Sequence, residues 1–193
     1  MDLKKLDLLI KTQNKTKLIF DFDETLFYLN IDWENWDKGI RMIAQKFSID
    51  SEIIKDTIYC DELSNIIVEN FGVVAKKELD NFSCDYEKNN LSNIKINKPL
   101  IEFLKERKQK LFLWSSNCFK TIQPILVEHD LYSRFDKIIT RNDVDFIKPS
   151  TNGFDFIFEN DGKENYLMVG NNPRTDGVAA KNAGIDYFNI EYF

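Results

Sequence analysis

The sequence predicts an α/β protein, a parallel sheet with helices on both faces, interrupted once by a helical insertion. Short apolar runs rich in β-formers, at 17–20, 111–114, 137–140, 166–169 and 187–190, alternate with stretches of helical spacing. Strands separated by helices call for parallel pairing. Several of these runs end on polar clusters, Asp21 with Asp23, Ser115 to Asn117 and Gly170 to Asn172, and ligands bind beyond the carboxyl ends of strands in such sheets. The length of 193 residues suits one core with a small second unit.

In chain order, residues 2–13 carry Leu3, Leu6, Leu8, Leu9 and Ile10 among lysines and aspartates, the pattern of an amphipathic helix that covers the sheet. The run 17–20 is the first strand. Asp32 can cap a helix in which Trp33, Trp36, Ile40, Ile43, Ala44 and Phe47 recur at helical spacing. A second helical region starts at Ser51, with Gly72 as a stop signal, and a third helix follows over about 73–82. The asparagine-rich stretch 89–97 reads as a loop. Residues 30–95 therefore form a helical insertion, and 1–29 with 96–193 form the sheet-bearing core. Pro99 suits the first turn of a helix over 100–108. Further helices are expected at 121–128, 152–159 and 177–182.

Composition narrows the function. A formal charge of −6 and a pI near 5.0 argue against a nucleic-acid backbone or an anionic membrane as partner, and no run is long enough to span a bilayer. Cys60, Cys84 and Cys118 are odd in number and lack metal-type spacing, and no apolar leader opens the chain. A cytoplasmic protein with reduced thiols, monomeric or homodimeric, is the expectation. The only histidine, His129, falls on a helix as a structural or surface residue.

Chemistry concentrates at Phe20-Asp21-Phe22-Asp23-Glu24-Thr25-Leu26. Alternate residues of an extended chain point to one side, so Asp21 and Asp23 can converge. Carboxylates that close repel unless a cation lies between them, which calls for a hard ion such as Mg²⁺. A solvated turn whose acids cap the next helix would use the same residues.

Four clusters in order, Asp21/Asp23, Ser115/Ser116, Lys148 in Ile147-Lys148-Pro149, and Asn171 with Asp176, resemble the haloacid dehalogenase-like hydrolase superfamily. The resemblance spans nearly the whole chain. Its first motif, a strand followed by Asp-x-Asp-x-Thr-Leu, and the segment Gly170-Asn171-Asn172-Pro173-Arg174-Thr175-Asp176 are the specific parts. It implies a Rossmann-like core with a helical cap at 30–95, and a Mg²⁺-dependent phosphatase acting on a small phosphorylated metabolite through an aspartyl-phosphate. By that likeness Asp21 is the nucleophile, Asp23 the acid/base whose carbonyl helps hold Mg²⁺, and Thr25 a brace for the turn. The second acid is the mark of phosphoryl chemistry, since the dehalogenases lack it. Ser115 would supply the phosphate-binding hydroxyl with the Ser116 N–H beside it; if the family's frequent Ser-Asn pair sets the register, Ser116 and Asn117 take those roles. Lys148 would neutralise the phosphate.

One departure bears on activity. The family usually has an acid where Asn171 stands, and an amide can ligate Mg²⁺ but brings no charge, so affinity should fall unless Asp176 compensates. Two other readings follow, a weakly active or non-catalytic binding or regulatory domain, and a phosphomutase-type phosphotransferase. Trp33, Trp36, Lys38 and Arg41 are candidate cap contacts, the tryptophans more readily explained by packing. A carbon–phosphorus hydrolase would need a cap lysine, for which Lys38, Lys46 and Lys55 are available.

Overall fold

A computed structural model describes residues 2–193. Helix α1 (Leu3–Thr12) is capped by Asp2, whose side chain accepts from the Lys5 N–H, and leads into β1 (Lys17–Phe20). The strand is buried along its whole length. A two-residue strand, β2 (Phe27–Tyr28), precedes three helices: α2 (Trp33–Lys46), α3 (Ser51–Asp56) and α4 (Cys60–Asn90). Strand β3 (Lys95–Ile96) returns antiparallel to β2, pairing Phe27 with Ile96 and Tyr28 with Lys95. Then follow α5 (Lys98–Lys105), β4 (Lys110–Trp114), α6 (Phe119–Glu128), β5 (Lys137–Ile139), α7 (Asn152–Ile157), β6 (Tyr166–Gly170), α8 (Val178–Ala183) and β7 (Asp186–Asn189).

The main sheet runs β5-β4-β1-β6-β7, parallel throughout. Its alternation sorts side chains onto two faces. Leu18, Phe20, Leu111, Leu113, Leu167 and Val169 join α1, α5 and α6 in one apolar cluster. Ile19, Phe112, Trp114, Tyr166 and Met168 join α7 and α8 in another. Central β1 lies between β4 and β6, so the polar residues after all three strands share one rim.

Helices α2 to α4 bury a third cluster of their own, around Trp36, Ile40, Leu63, Ile67 and Leu79. Within α4, Gly72 has φ 61° and ψ −143°, a conformation open to glycine, and it bends the helix where the sequence predicts a stop. Beyond the bend α4 runs to Asn90, past the expected end near residue 82 and into the expected loop. The reason is a buried four-residue repeat, Ala75, Leu79, Ser83 and Glu87, that continues beneath a polar outer face. The β2–β3 ribbon was not expected either; two residues per strand leave no readable period.

The thiols depart from the expectation of three reduced cysteines. Cys84 on α4 and Cys118 at the start of α6 form a disulfide with Cα atoms 5.4 Å apart, and Cys60 is buried and free. Docking of α4 against α6 brings together cysteines 34 residues apart. Cross-linking a loop of that size restricts the unfolded chain by about 4 kcal/mol. We expect Cys84→Ser, or dithiothreitol on the native chain, to lower the melting temperature by roughly 10 °C; calorimetry with and without reductant checks it. Among the described residues no helix is long and apolar enough to cross a membrane.

Candidate active site

The first acid pair is placed by the end of β1. The Asp21 N–H still donates to Val169 O at 3.0 Å, extending the ladder one residue. The chain then turns: the Leu26 and Phe27 N–H groups both donate to Phe22 O, with Glu24 at φ 58°. Thr25 braces this turn. Its Oγ1 lies 3.2 Å from both Asp21 Oδ2 and Asn171 Oδ1 and accepts the Asn171 N–H at 3.1 Å. Asp23 Oδ1 accepts the Leu29 N–H at 2.9 Å and the Glu24 N–H at 3.1 Å. Burial pushes the Asp23 carboxyl up to about 7 against the pull of the Leu29 N–H, and the charges of Asp21, Glu24 and Glu87 add to the rise.

Lys148 joins the rest. Its Nζ donates to Asp21 Oδ1 at 2.6 Å and to Asp176 Oδ1 at 2.5 Å, and it is 2% exposed. Burial opposes its charge, but Asp176 and Asp21 outweigh that and hold the ammonium above its ordinary value. One cation cannot neutralise two carboxylates. Asp176 is accordingly pushed up to about 7, by burial first and then by Asp21. Its Oδ2 accepts the Asn172 N–H at 3.1 Å, and Gly170 makes room for it, since a Cβ there would lie 2.3 Å from that oxygen.

The backbone before Lys148 is held from the helical insertion. Asn65 on α4 donates Nδ2–H to Ile147 O at 2.9 Å and accepts the Ile147 N–H at 2.9 Å. No feature of the sequence marks Asn65, because the bond crosses 82 positions.

After β4 the structure corrects the register. The Ser115 hydroxyl is buried; it donates to Asn117 Oδ1 at 2.9 Å and accepts the Asn117 N–H at 3.1 Å, a closed turn that commits its one donor hydrogen. Ser116 and Asn117 line the cavity and Ser115 does not. Ser116 and Asn117 thus share the cavity wall with Asp21. Glu87 of α4 fixes this loop by accepting the Cys118 N–H at 3.0 Å, and burial pushes its carboxyl up.

Between core and insertion lies a cavity of about 290 Å³. The core contributes Asp21, Asp23, Lys148, Asn171 and Asp176, and the insertion contributes Trp33, Trp36, Tyr59 and Asp61. The two tryptophans therefore both pack and face the cavity; Trp36 Nε1 donates to Ser83 Oγ at 3.1 Å. Tyr59 covers the Arg174 guanidinium, 3.8 Å from its ring centroid. Lys38 and Arg41 do not reach the cavity. Lys38 is an exposed partner of Glu34, and Arg41 ties α2 to the carbonyls of Ile54, Thr57 and Ile58. Lys46 pairs with Glu78 and Lys55 with Glu52, so no lysine of the insertion lines the cavity.

The donors fit a hard cation in part. Asp21 and Asp176 offer carboxylate oxygens that one ammonium leaves under-neutralised, and Asn171 offers an amide oxygen beside them, its Nδ2 donating to Glu24 Oε2 at 2.9 Å. Oxygen ligands of this kind suit Mg²⁺. Among the described residues no group of three or more His, Cys, Asp or Glu side chains is placed to hold a metal.

The model of the haloacid dehalogenase-like hydrolase family matches residues 18–190. Among solved structures, a protein described as a haloacid dehalogenase-like hydrolase from Bacteroides fragilis superposes with a TM-score of 0.61 at 23% identity, covering 91% of this chain and 87% of that one. A HAD phosphatase from Thermococcus onnurineus gives a TM-score of 0.54 at 18% identity, covering 91% and 86%. A HAD-hydrolase from Bacillus subtilis, described as bound to magnesium, gives 0.51 at 18% identity, covering 90% and 85%. No curated protein matches the sequence.

Proposed function

The chain belongs to the haloacid dehalogenase-like hydrolase family, and from that premise we propose that it is a Mg²⁺-dependent phosphatase of a small phosphate monoester, working through an aspartyl-phosphate. The observation that supports this most is the Lys148 ammonium set between Asp21 and Asp176 on the cavity wall. It prepares a place for an anion beside a carboxylate that would otherwise repel it.

Asp21 attacks phosphorus, forming the carboxyl–phosphorus bond as the ester oxygen leaves, and Asp23 delivers its proton to that oxygen. An acid held up to about 7 is protonated enough at neutral pH to do so. Asp23, now ionised, takes a proton from water; the water oxygen bonds phosphorus, and Asp21 is released with inorganic phosphate. Lys148 and the Ser116 hydroxyl bear on the phosphoryl oxygens. Asp21, Asp176, the Asn171 amide oxygen and the Asp23 carbonyl would hold Mg²⁺, which supplies charge neutralisation that lets two anions meet. Helices α2 to α4 serve as a cap that keeps bulk water from the intermediate.

The deciding experiment is hydrolysis of p-nitrophenyl phosphate with and without Mg²⁺, followed by a panel of phosphorylated metabolites; no turnover of any of them would end the reading. Asn171 has its own test. Asn171→Asp is expected to raise Mg²⁺ affinity on the order of 10-fold by adding a ligand charge, as read by titration calorimetry. It also sets a carboxylate against Glu24, so metal-free Asn171→Asp should melt below the native chain and Mg²⁺ should reverse the order. Unchanged affinity removes Asn171 from the metal site. No Mg²⁺ binding by the native chain, with recovery in Asn171→Asp, favours a regulatory or binding domain.

A further inference from the structure

We propose that Arg141 is a specificity-determining residue, whose guanidinium receives a carboxylate of the substrate, so that the preferred esters carry a second anionic group. This rests on the reading of the cavity as a phosphatase site.

Arg141 follows β5 and stands on the cavity wall with Lys148. Its backbone is pinned from three directions. Asp143 accepts the Thr140 N–H and hydroxyl, the Arg141 N–H donates to Asn117 O at 3.2 Å, and Lys76 of α4 donates Nζ–H to Arg141 O at 2.9 Å. The residue is 2% exposed, and its guanidinium carbon lies 5.9 Å from the centroid of the Trp36 ring. Yet Nε has no hydrogen-bond partner. The ion pair it makes, Nε to Asp80 Oδ1, spans 3.6 Å, too long for a hydrogen bond, and the other Asp80 oxygen is taken by Lys76.

A buried guanidinium with an unclaimed donor is costly in a protein that has no use for it. The acids nearby do not claim it. Glu87 is committed to the Cys118 N–H. Asp61 faces the same cavity but makes no hydrogen bond to the guanidinium; burial holds its carboxyl up, to about 6, against the pull of Arg141 and Lys148. The planar fork of an arginine matches two-oxygen acceptors such as a carboxylate. With Lys148 and the Ser116 hydroxyl on the phosphate, a cavity of about 290 Å³ lined by Lys148 and Arg141 together lets a compact ester meet both cations.

The test compares 2-phosphoglycolate with ethyl phosphate, which differ in a carboxylate against a methyl. Dissociation constants are measured by calorimetry with Mg²⁺ in an Asp21→Asn background, which prevents turnover, with Arg141 kept or changed to Gln or Lys. Michaelis constants are measured in chains that keep Asp21. With Arg141 present, 2-phosphoglycolate should bind about 10- to 100-fold tighter than ethyl phosphate, the range for a charge-assisted contact. Arg141→Gln should remove that advantage and leave ethyl phosphate unchanged, and Arg141→Lys should keep a part of it. Equal binding of the two ligands, no binding of 2-phosphoglycolate, a preference that survives Arg141→Gln, or a loss shared by both ligands would overturn the proposal; the last marks a structural role. If Arg141→Gln fails to fold, the Arg141→Lys series decides by the same criteria. A binding preference without hydrolysis of either ester would sink the phosphatase reading alone, and hydrolysis of both with equal Michaelis constants would sink the Arg141 assignment alone.

Discussion

Asp21→Asn should lower turnover of p-nitrophenyl phosphate by roughly 10³-fold or more, because removing a nucleophile removes the step that all later ones need. The variant should remain folded. Lys148 keeps Asp176 as a partner at 2.5 Å, Asn is close to Asp in volume, and the change removes one of two carboxylates competing for that ammonium. The Lys148 ammonium can still donate to the amide oxygen where it meets Asp21 Oδ1, and the new amide N–H can donate to Thr25 Oγ1 where that hydroxyl meets Asp21 Oδ2. Steady-state rates checked beside a melting curve separate loss of chemistry from loss of fold. Native-like activity in a folded Asp21→Asn protein would end the aspartyl-phosphate mechanism, whatever the fold.

Lys148→Met should cost stability as well as activity. The lysine is 2% exposed, Asp176 1% and Asp21 7%, so its removal leaves two buried carboxylates facing each other without a cation. Breaking a buried pair in this way typically costs about 3–5 kcal/mol. In a chain of 193 residues that corresponds to a fall in melting temperature on the order of 10 °C. Mg²⁺ should return part of the loss in the variant, since a cation bound to the same oxygens stabilises the folded state alone, and should return little activity. A melting temperature unchanged by the substitution would mean that the ammonium is not what reconciles the two acids.

The helices of the insertion illustrate how far periodicity carries. The apolar spacing of α2 and its Asp32 cap are both legible, and the cap is formed by the Asn35 N–H donating to Asp32 Oδ1 at 3.1 Å. The second half of α4 is less so, because its buried stripe includes Ser83 and Glu87, polar residues that look like a solvated face until α6 is packed against them. The cysteines fail for a related reason. Spacing in sequence says nothing about Cys84 and Cys118, which meet through the docking of two helices.

A parallel sheet, the succession of its strands and helices along the chain and the chemical inventory of the rim are legible in the sequence: apolar period and turn residues are local properties, and Asp21, Asp23, Lys148, Asn171 and Asp176 each follow a readable strand or loop signal. Only the tertiary structure decided which of Ser115 and Ser116 turns toward the cavity, that Asn65 and Glu87 reach across from the insertion to hold the site loops, and that Arg141 is buried with an unused donor. The direction of a side chain after a strand depends on the few backbone angles of a turn and on what packs behind it. What packs behind these loops is supplied by residues 30 to 150 positions away, at a distance where a linear pattern carries no signal.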